Sequence, residues 1–257
     1  IRSCLVGSEM CIRDRLGSPW ITNYKGKLSN NIKNIRTRCC AHIKKKDLSV
    51  IIDTSPDVRH QFIKNQITSL DAIIYTHEHS DQTSGIFEMR PFFWKNQKRI
   101  PVYGNSKTIN SLKKKYKFCF QQVFDYKPIM SAKIIKNKFI IKKGKTSLYI
   151  KSFEVKHGMI KSTAFVFDKI AYISDCSGIY KKDLKFLKNL DYLIIDCLRK
   201  REHPSHFNFN QAINLIETTN PKKAILTNLH VDLDYFDLKR SLPKNIIPAY
   251  DGLCFNF

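Results

Sequence analysis

The sequence predicts a layered α/β fold, two sheets packed together with helices outside, on three observations. Short β-rich runs recur along the chain, each ending in turn-forming or polar residues. Segments of helical period lie between them. The strands fall into two runs, each followed by helices, which is the pattern of a layered fold.

The first strand expected is SVIID, Ser49–Asp53, with a helix over Pro56–Asn65 behind it. AIIYT, Ala72–Thr76, follows, and after its loop comes a helix over Ser84–Asn96. IPVYG, Ile100–Gly104, leads into a helix over Ser106–Tyr116. Leu148–Val155, Thr163–Asp168 and IAYIS, Ile170–Ser174, then come in succession, before a helix over Lys181–Asn189. YLIID, Tyr192–Asp196, and AILTN, Ala224–Asn228, flank a helix over Asn208–Thr219. Asn208 or Asn210 can cap that helix, and Pro221 follows its end. A last helix is expected over Tyr235–Ser241.

The chain has 257 residues, 42% of them hydrophobic and 26% charged, so wholesale disorder is excluded. No run approaches the ~18 apolar residues of a membrane span, and no basic segment precedes an apolar one at the start. A cytoplasmic protein without a membrane partner is expected. The eight cysteines form no CxxC pair and read as reduced thiols; the adjacent Cys39 and Cys40 are assigned a structural role. From residue 16 to 257 no linker, repeat or low-complexity tract interrupts the chain, which predicts a single domain. Residues 1–15 differ: they contain no Lys or Asn and hold two of the eight cysteines. They read as a non-native or disordered extension.

The net charge is +23, and the basic residues are 34 Lys against 11 Arg. A basic surface can mark a nucleic-acid partner. A/T-rich codons would give the same Lys, Ile and Asn excess, and phosphate readers favour Arg. Charge alone therefore does not choose a partner, and nucleic acid stays the less favoured one.

The chemistry gathers behind AIIYT, in Thr76-His77-Glu78-His79-Ser80-Asp81-Gln82. Two His at i and i+2 with Asp at i+4, just past a strand, can converge on one divalent ion. His157, Asp175 and His230 also stand just past strands, and six of the eight His lie at or near such loops. Metal binding is the expectation.

THEHSDQ with Ser84-Gly85-Ile86 resembles the HxHxDH signature of the metallo-β-lactamase superfamily. The chain from about Leu16 resembles its phosphoribosyl 1,2-cyclic phosphate phosphodiesterase branch through Arg38-Cys39-Cys40, Ile52–Arg59, Ile100–Gly104, His203–Phe207, Leu226–His230 and Ala249–Gly252. The resemblance implies a four-layer αββα sandwich with two divalent ions, zinc first, at one edge. His77, His79 and His157 would hold one ion, Asp81 and His230 the other, and Asp175 would bridge. Asp81 and His206 are the catalytic candidates. His206 could reach the substrate phosphate or protonate a leaving alkoxide; its other reading is loop-stabilising hydrogen bonding. Asp53 is a candidate for orienting a ligand His, or a simple turn cap. Arg59 and Arg90 are candidate substrate contacts. Two departures stand out. Gln82 occupies the place of the last signature His, a weaker donor that makes Mn or Fe a contender at the second site. Only Leu16-Gly17-Ser18-Pro19-Trp20 remains of the family's Gly-rich opening.

The resulting expectation is a metal-dependent phosphodiesterase cleaving a small cyclic or nucleotide-like ester, with a homodimer admitted. A zinc ribonuclease resembling the tRNA 3′-processing nuclease is the second reading, though no arm for gripping tRNA is seen. An inactive lactamase-fold RNA- or protein-binding module is the third.

Overall fold

The computed structural model describes residues 2–7, by their backbone alone, and residues 31–256. The remnant Leu16–Trp20 and residues 8–15 lie outside the described residues.

Two seven-stranded sheets form the centre. The first has the order β14-β1-β2-β3-β4-β5-β6: Leu253–Asn256, Arg2–Gly7, Cys40–Lys45, Leu48–Ile52, Ala72–Ile74, Ile100–Gly104 and Met130–Ile134. The second runs β13-β12-β11-β10-β9-β8-β7: Ile246–Pro248, Lys223–Thr227, Tyr192–Asp196, Ile170–Ile173, Ile160–Phe167, Thr146–His157 and Lys138–Lys143. Strands β3 to β6 are mutually parallel, as are β10 to β13, while the hairpins β2–β3 and β7–β8–β9–β10 are antiparallel.

The strands that read as unbroken apolar runs are buried on both faces. Val50, Ile52, Ala72 and Ile74 meet Phe165, Tyr172, Ile194 and Ile225 between the sheets. The alternate residues Ile51, Ile73 and Val102 face outward, onto helices α1 (Val58–Lys64), α3 (Arg90–Asn96) and α4 (Ser106–Lys115). On the other side Ile173, Leu193, Ile195 and Leu226 pack under α6 (Phe209–Thr219) and α7 (Tyr235–Ser241). The result is the four-layer αββα sandwich.

Each expected element is present within a few residues, and Asn208 caps α6 through a full capping box with Gln211. The expected helix over Ser84–Asn96 is split: a 3-10 turn at Ile86–Met89 precedes α3, whose Pro91 suits a first turn. Lys181–Leu187 is likewise a 3-10 helix. The short helices α2 (Ser80–Thr83) and α5 (Lys117–Phe120), with a 3-10 turn at Ile32–Asn34, complete the count among the described residues.

Arg2–Gly7, set apart as an extension, instead form β1, antiparallel to both β14 and β2. A short run such as Ser-Cys-Leu-Val can complete a ladder whatever its origin, and it covers the exposed edge of β2. Cys254 on β14 is disulfide-bonded, which departs from the expectation of eight reduced thiols. Cys39, Cys40, Cys119, Cys176 and Cys197 are buried free thiols. No described helix is long and apolar enough to cross a membrane.

Candidate metal centre

The parallel strands of both sheets point their carboxyl ends at one seam, where side chains from successive loops can meet. His77 and His79 follow β4, His157 ends β8, Asp175 follows β10, Asp196 ends β11 and His230 follows β12. Asp53 just after β3 and Asn228 just after β12 hold positive φ, 62° and 61°, which turns the chain sharply out of each strand. Gly85 locks the α2 loop beneath. Its N–H donates to Thr54 O at 3.0 Å, and a Cβ there would sit 2.1 Å from Ser55 O.

The three expected imidazoles converge. His157 Nε2 lies 3.3 Å from His79 Nδ1, and the ring centroids of His77, His79 and His157 are 4.5 to 5.1 Å apart. One ligand atom from each lies within 4.8 Å of the others. The outer nitrogens are pinned. His157 Nδ1–H donates to Ser205 O at 2.8 Å, and His77 Nδ1 is 3.0 Å from Thr76 Oγ1. Thr76 Oγ1 in turn donates to Asp53 Oδ2 at 2.8 Å, while Thr76 N donates to Asp53 Oδ1 at 2.9 Å. Asp53 thus orients His77 through Thr76 rather than directly. His77 and His157 are buried, and exposed His79 opens the cluster to solvent.

The donor set fits a divalent cation. His77 Nε2 and Asp175 Oδ1 are buried without a hydrogen-bond partner. Burial, then the neighbouring imidazoles, holds His77 well below the usual histidine range; burial also lowers His79 and His157. Neutral imidazole is the ligand form. Burial pushes Asp175 up to about 7, with Asp196 and Asp81 adding to the rise and His206 opposing it. A site with neutral imidazoles and uncompensated buried carboxyls calls for positive charge. The 3.3 Å nitrogen separation is also about the edge of a tetrahedron whose donors stand ~2.0–2.1 Å from zinc.

A sequence profile of the β-lactamase superfamily domain matches residues 49–228, which include this cluster but not His230. The chain belongs to the metallo-β-lactamase superfamily. This is a metal-dependent hydrolase domain, and its likeness is to the PhnP-like branch. The crystal structure of a diphosphatase from the PhnP family superposes with a TM-score of 0.86 at 26% identity, covering 100% of this chain and 98% of that one. Zinc-bound PqqB from Methylobacterium extorquens superposes with a TM-score of 0.76 at 13% identity, over the whole of both chains, and shows the fold. An octanoyltransferase of Porphyromonas gingivalis is 29% identical over 208 residues, which are 79% of this chain. The chain spans 41% of that relative's length.

Other expected residues of this metallo-β-lactamase domain are placed less uniformly. Asp175 and His206 form a second group with His157, their ligand atoms within 4.8 Å of one another. Asp81, in the first turn of α2, and His230 belong to neither group, although the charge of Asp81 acts on His79 and Asp175. His230 Nδ1 lies 3.3 Å from Asp232 Oδ1. Gln82 is fully buried with Nε2 3.5 Å from Asp175 Oδ2, so its amide nitrogen faces the carboxylate. Arg59 and Arg90 are not in the cluster. Arg59 lines a groove with Phe62, Glu88 and Phe92, and the Arg90 guanidinium lies over Phe87, Trp94 and Tyr126.

Asp196 was not anticipated. Its Oδ2 lies 2.7 Å from His206 Nδ1 and accepts the Cys176 N–H at 2.8 Å. Burial raises its carboxyl well above the usual range, against the Cys176 N–H and the charge of His157. It ends the strand YLIID just as Asp53 ends SVIID, and that parallel was the signal available.

Proposed function

We propose that the domain hydrolyses a small phosphodiester, cyclic or nucleotide-like. The observation that carries this reading is the buried His206–Asp196 pair, set 4.8 Å ring to ring from His157. His77, His79 and His157 would hold one divalent ion, zinc by its imidazole donors, with Asp175 beside them. Asp81 and His230, with Gln82, are the proposed holders of a second. A bound ion supplies Lewis acidity and an activated water.

The chain's own residues supply the rest. Asp196 takes the Nδ1 side of His206 and fixes the ring, so that Nε2 is the nitrogen turned away from the carboxylate. A protonated Nε2 in this place can give its proton to the alkoxide that leaves phosphorus. The pinned outer nitrogens of His77 and His157 keep the donor side from rotating, and exposed His79 marks the side of entry. The likeness to a PhnP-family diphosphatase supports a phosphorus-centred ester or anhydride. The octanoyltransferase name belongs to a protein more than twice as long as the matched part. A cytoplasmic setting is part of the same proposal; five buried thiols among the described residues are free, while Cys254 is disulfide-bonded.

The test is metal analysis of the purified protein together with assays on bis(p-nitrophenyl) phosphate and on cyclic ribose phosphates. Metal-dependent turnover of the small diesters is expected. Single-site cleavage of precursor tRNA, with no turnover of small diesters by the same sample, would replace this reading with the ribonuclease one.

A further inference from the structure

The basic side chains are not spread evenly. From Glu88 to Lys151 the sequence has seventeen Lys and Arg, and its acidic residues are Glu88 and Asp125. A quarter of the chain thus carries about +15 of the total +23. In the fold this stretch is one region: α3, β5, α4, α5, β6, β7 and the start of β8. β6 and β7 are the outermost strands of their sheets on the same side, joined through 135–137. Ile135 N bonds Gly104 O in the first sheet, and Ser152 N bonds Asn137 O in the second. The ion pairs Lys107–Glu78 and Lys143–Asp71 take up two of the charges. Basic residues occur on other elements too, but there 28 of them meet 20 acidic residues; the uncompensated charge is what gathers at this end of the sandwich.

That end also shows aromatic rings to solvent. Phe124 is 91% exposed, Tyr126 55%, Trp94 50% and Phe118 37%. The Arg90 guanidinium lies 5.6 Å from the ring centres of Phe87 and Tyr126 and 5.7 Å from that of Trp94, around a cavity of about 230 Å³. Flat exposed rings beside a field of lysines are the two components of a surface that holds unpaired bases and their phosphates. The field reaches the donor loop itself. Lys115 Nζ donates to Glu78 O at 2.8 Å and Lys107 Nζ lies 2.7 Å from Glu78 Oε1, between His77 and His79 in sequence.

We propose that the sandwich end built from α3, α4, α5, β6 and β7 docks single-stranded nucleic acid, with lysines on phosphates and Trp94, Phe118 and Tyr126 under bases. It goes beyond the small-diester reading, because it concerns docking and not the reacting atoms. A duplex keeps its bases stacked on one another and would leave these rings without a partner. An acidic protein would answer the charge but not the exposed ring faces.

The test uses the full chain in fluorescence anisotropy with three probes: a labelled single strand of about 20 uridines, an RNA duplex of the same length, and heparin. Salt is varied from about 50 to about 200 mM. The single strand is expected to bind at least about tenfold more tightly than the duplex or heparin, with affinity falling steeply with salt. Trp94→Ala/Tyr126→Ala should weaken it about tenfold or more. Lys113→Gln/Lys114→Gln/Lys117→Gln should reduce the logarithmic salt slope by about 2. Both variants should leave hydrolysis of bis(p-nitrophenyl) phosphate unchanged. Equal binding of all three probes, or no effect of the aromatic pair, would overturn the proposal. If the wild type binds the single strand through these rings yet hydrolyses no small diester, the catalytic reading fails and this one stands.

Discussion

The Nδ1 atom of His206 lies 2.7 Å from Oδ2 of Asp196, with side-chain exposures of 3% and 0%. The carboxyl also holds the Cys176 N–H, so the pair is fixed to the backbone turn after β10 as well as to β11. Fixing one imidazole nitrogen decides which one can serve a substrate. Asp196→Asn keeps the shape and removes the carboxylate charge that holds the proton on Nδ1. It should lower kcat by about 100-fold or more, with KM and bound metal little changed. Steady-state kinetics and metal analysis on one sample check this; a matching loss of metal would make Asp196 a structural residue of the metal centre instead.

Thr76 carries the link between Asp53 and His77. Thr76→Val keeps the volume and removes the hydroxyl that bonds both. Zinc affinity should fall about 10- to 100-fold, measured by competition with a chelating dye. Unchanged affinity would show that the backbone alone orients His77.

The pH dependence of metal stabilisation has a definite sign. In the metal-free protein Asp175 is pushed up to about 7 by burial, so the folded state keeps a proton that the unfolded chain releases near 3.8. Its contribution to stability is full below 3.8 and is lost as pH rises through about 7. The lowered histidines act oppositely, since the unfolded chain takes up protons near 6.5 while the folded one resists. Their contribution is present above 6.5 and lost on acidification below it. A cation relieves the ionised carboxyl at high pH and must displace its proton at low pH. The rise in Tm on adding zinc should therefore be larger near pH 8 than near pH 5.5, and calorimetry at both values checks it. A rise that is equal at both would show that Asp175 is not beside the ion.

Gln82 turns its amide nitrogen toward Asp175, where an imidazole would offer a lone pair. Gln82→His should raise the zinc bound per chain and tighten the weaker of the two equilibria, as read by titration calorimetry. Two equivalents already bound by the wild type with indistinguishable affinities would rule this out.

The strands legible in the sequence were those buried on both faces, such as Ala72–Ile74 and Tyr192–Asp196, whose apolar runs are unbroken. β2, β6 and β7 were missed because lysines interrupt CAHIKK, MSAKI and KFIIKK. β6 and β7 are sheet edges, where charge discourages further pairing and hides the β pattern. In the site, His77, His79 and His157 were legible because imidazoles at strand ends have few structural uses in such number. For Arg59 and Arg90 the sequence carried charge but no direction; the Arg90 guanidinium lies over aromatic rings. Asp196 was passed over because a carboxylate at a strand end looks like any turn residue until its imidazole partner, ten positions on, is brought beside it.

His77 and His79 belong to one sheet, while His157, Asp175 and His206 follow strands of the other. An ion shared among them would be a clasp across the seam, tying segments some eighty residues apart in the chain. Sliding of one sheet over the other would spread the donors, so whatever holds the ion also resists shear. The apolar layer between the sheets, Ile74 and Tyr172 among it, then has a second duty. It acts as the spacer that sets the bite of the metal centre.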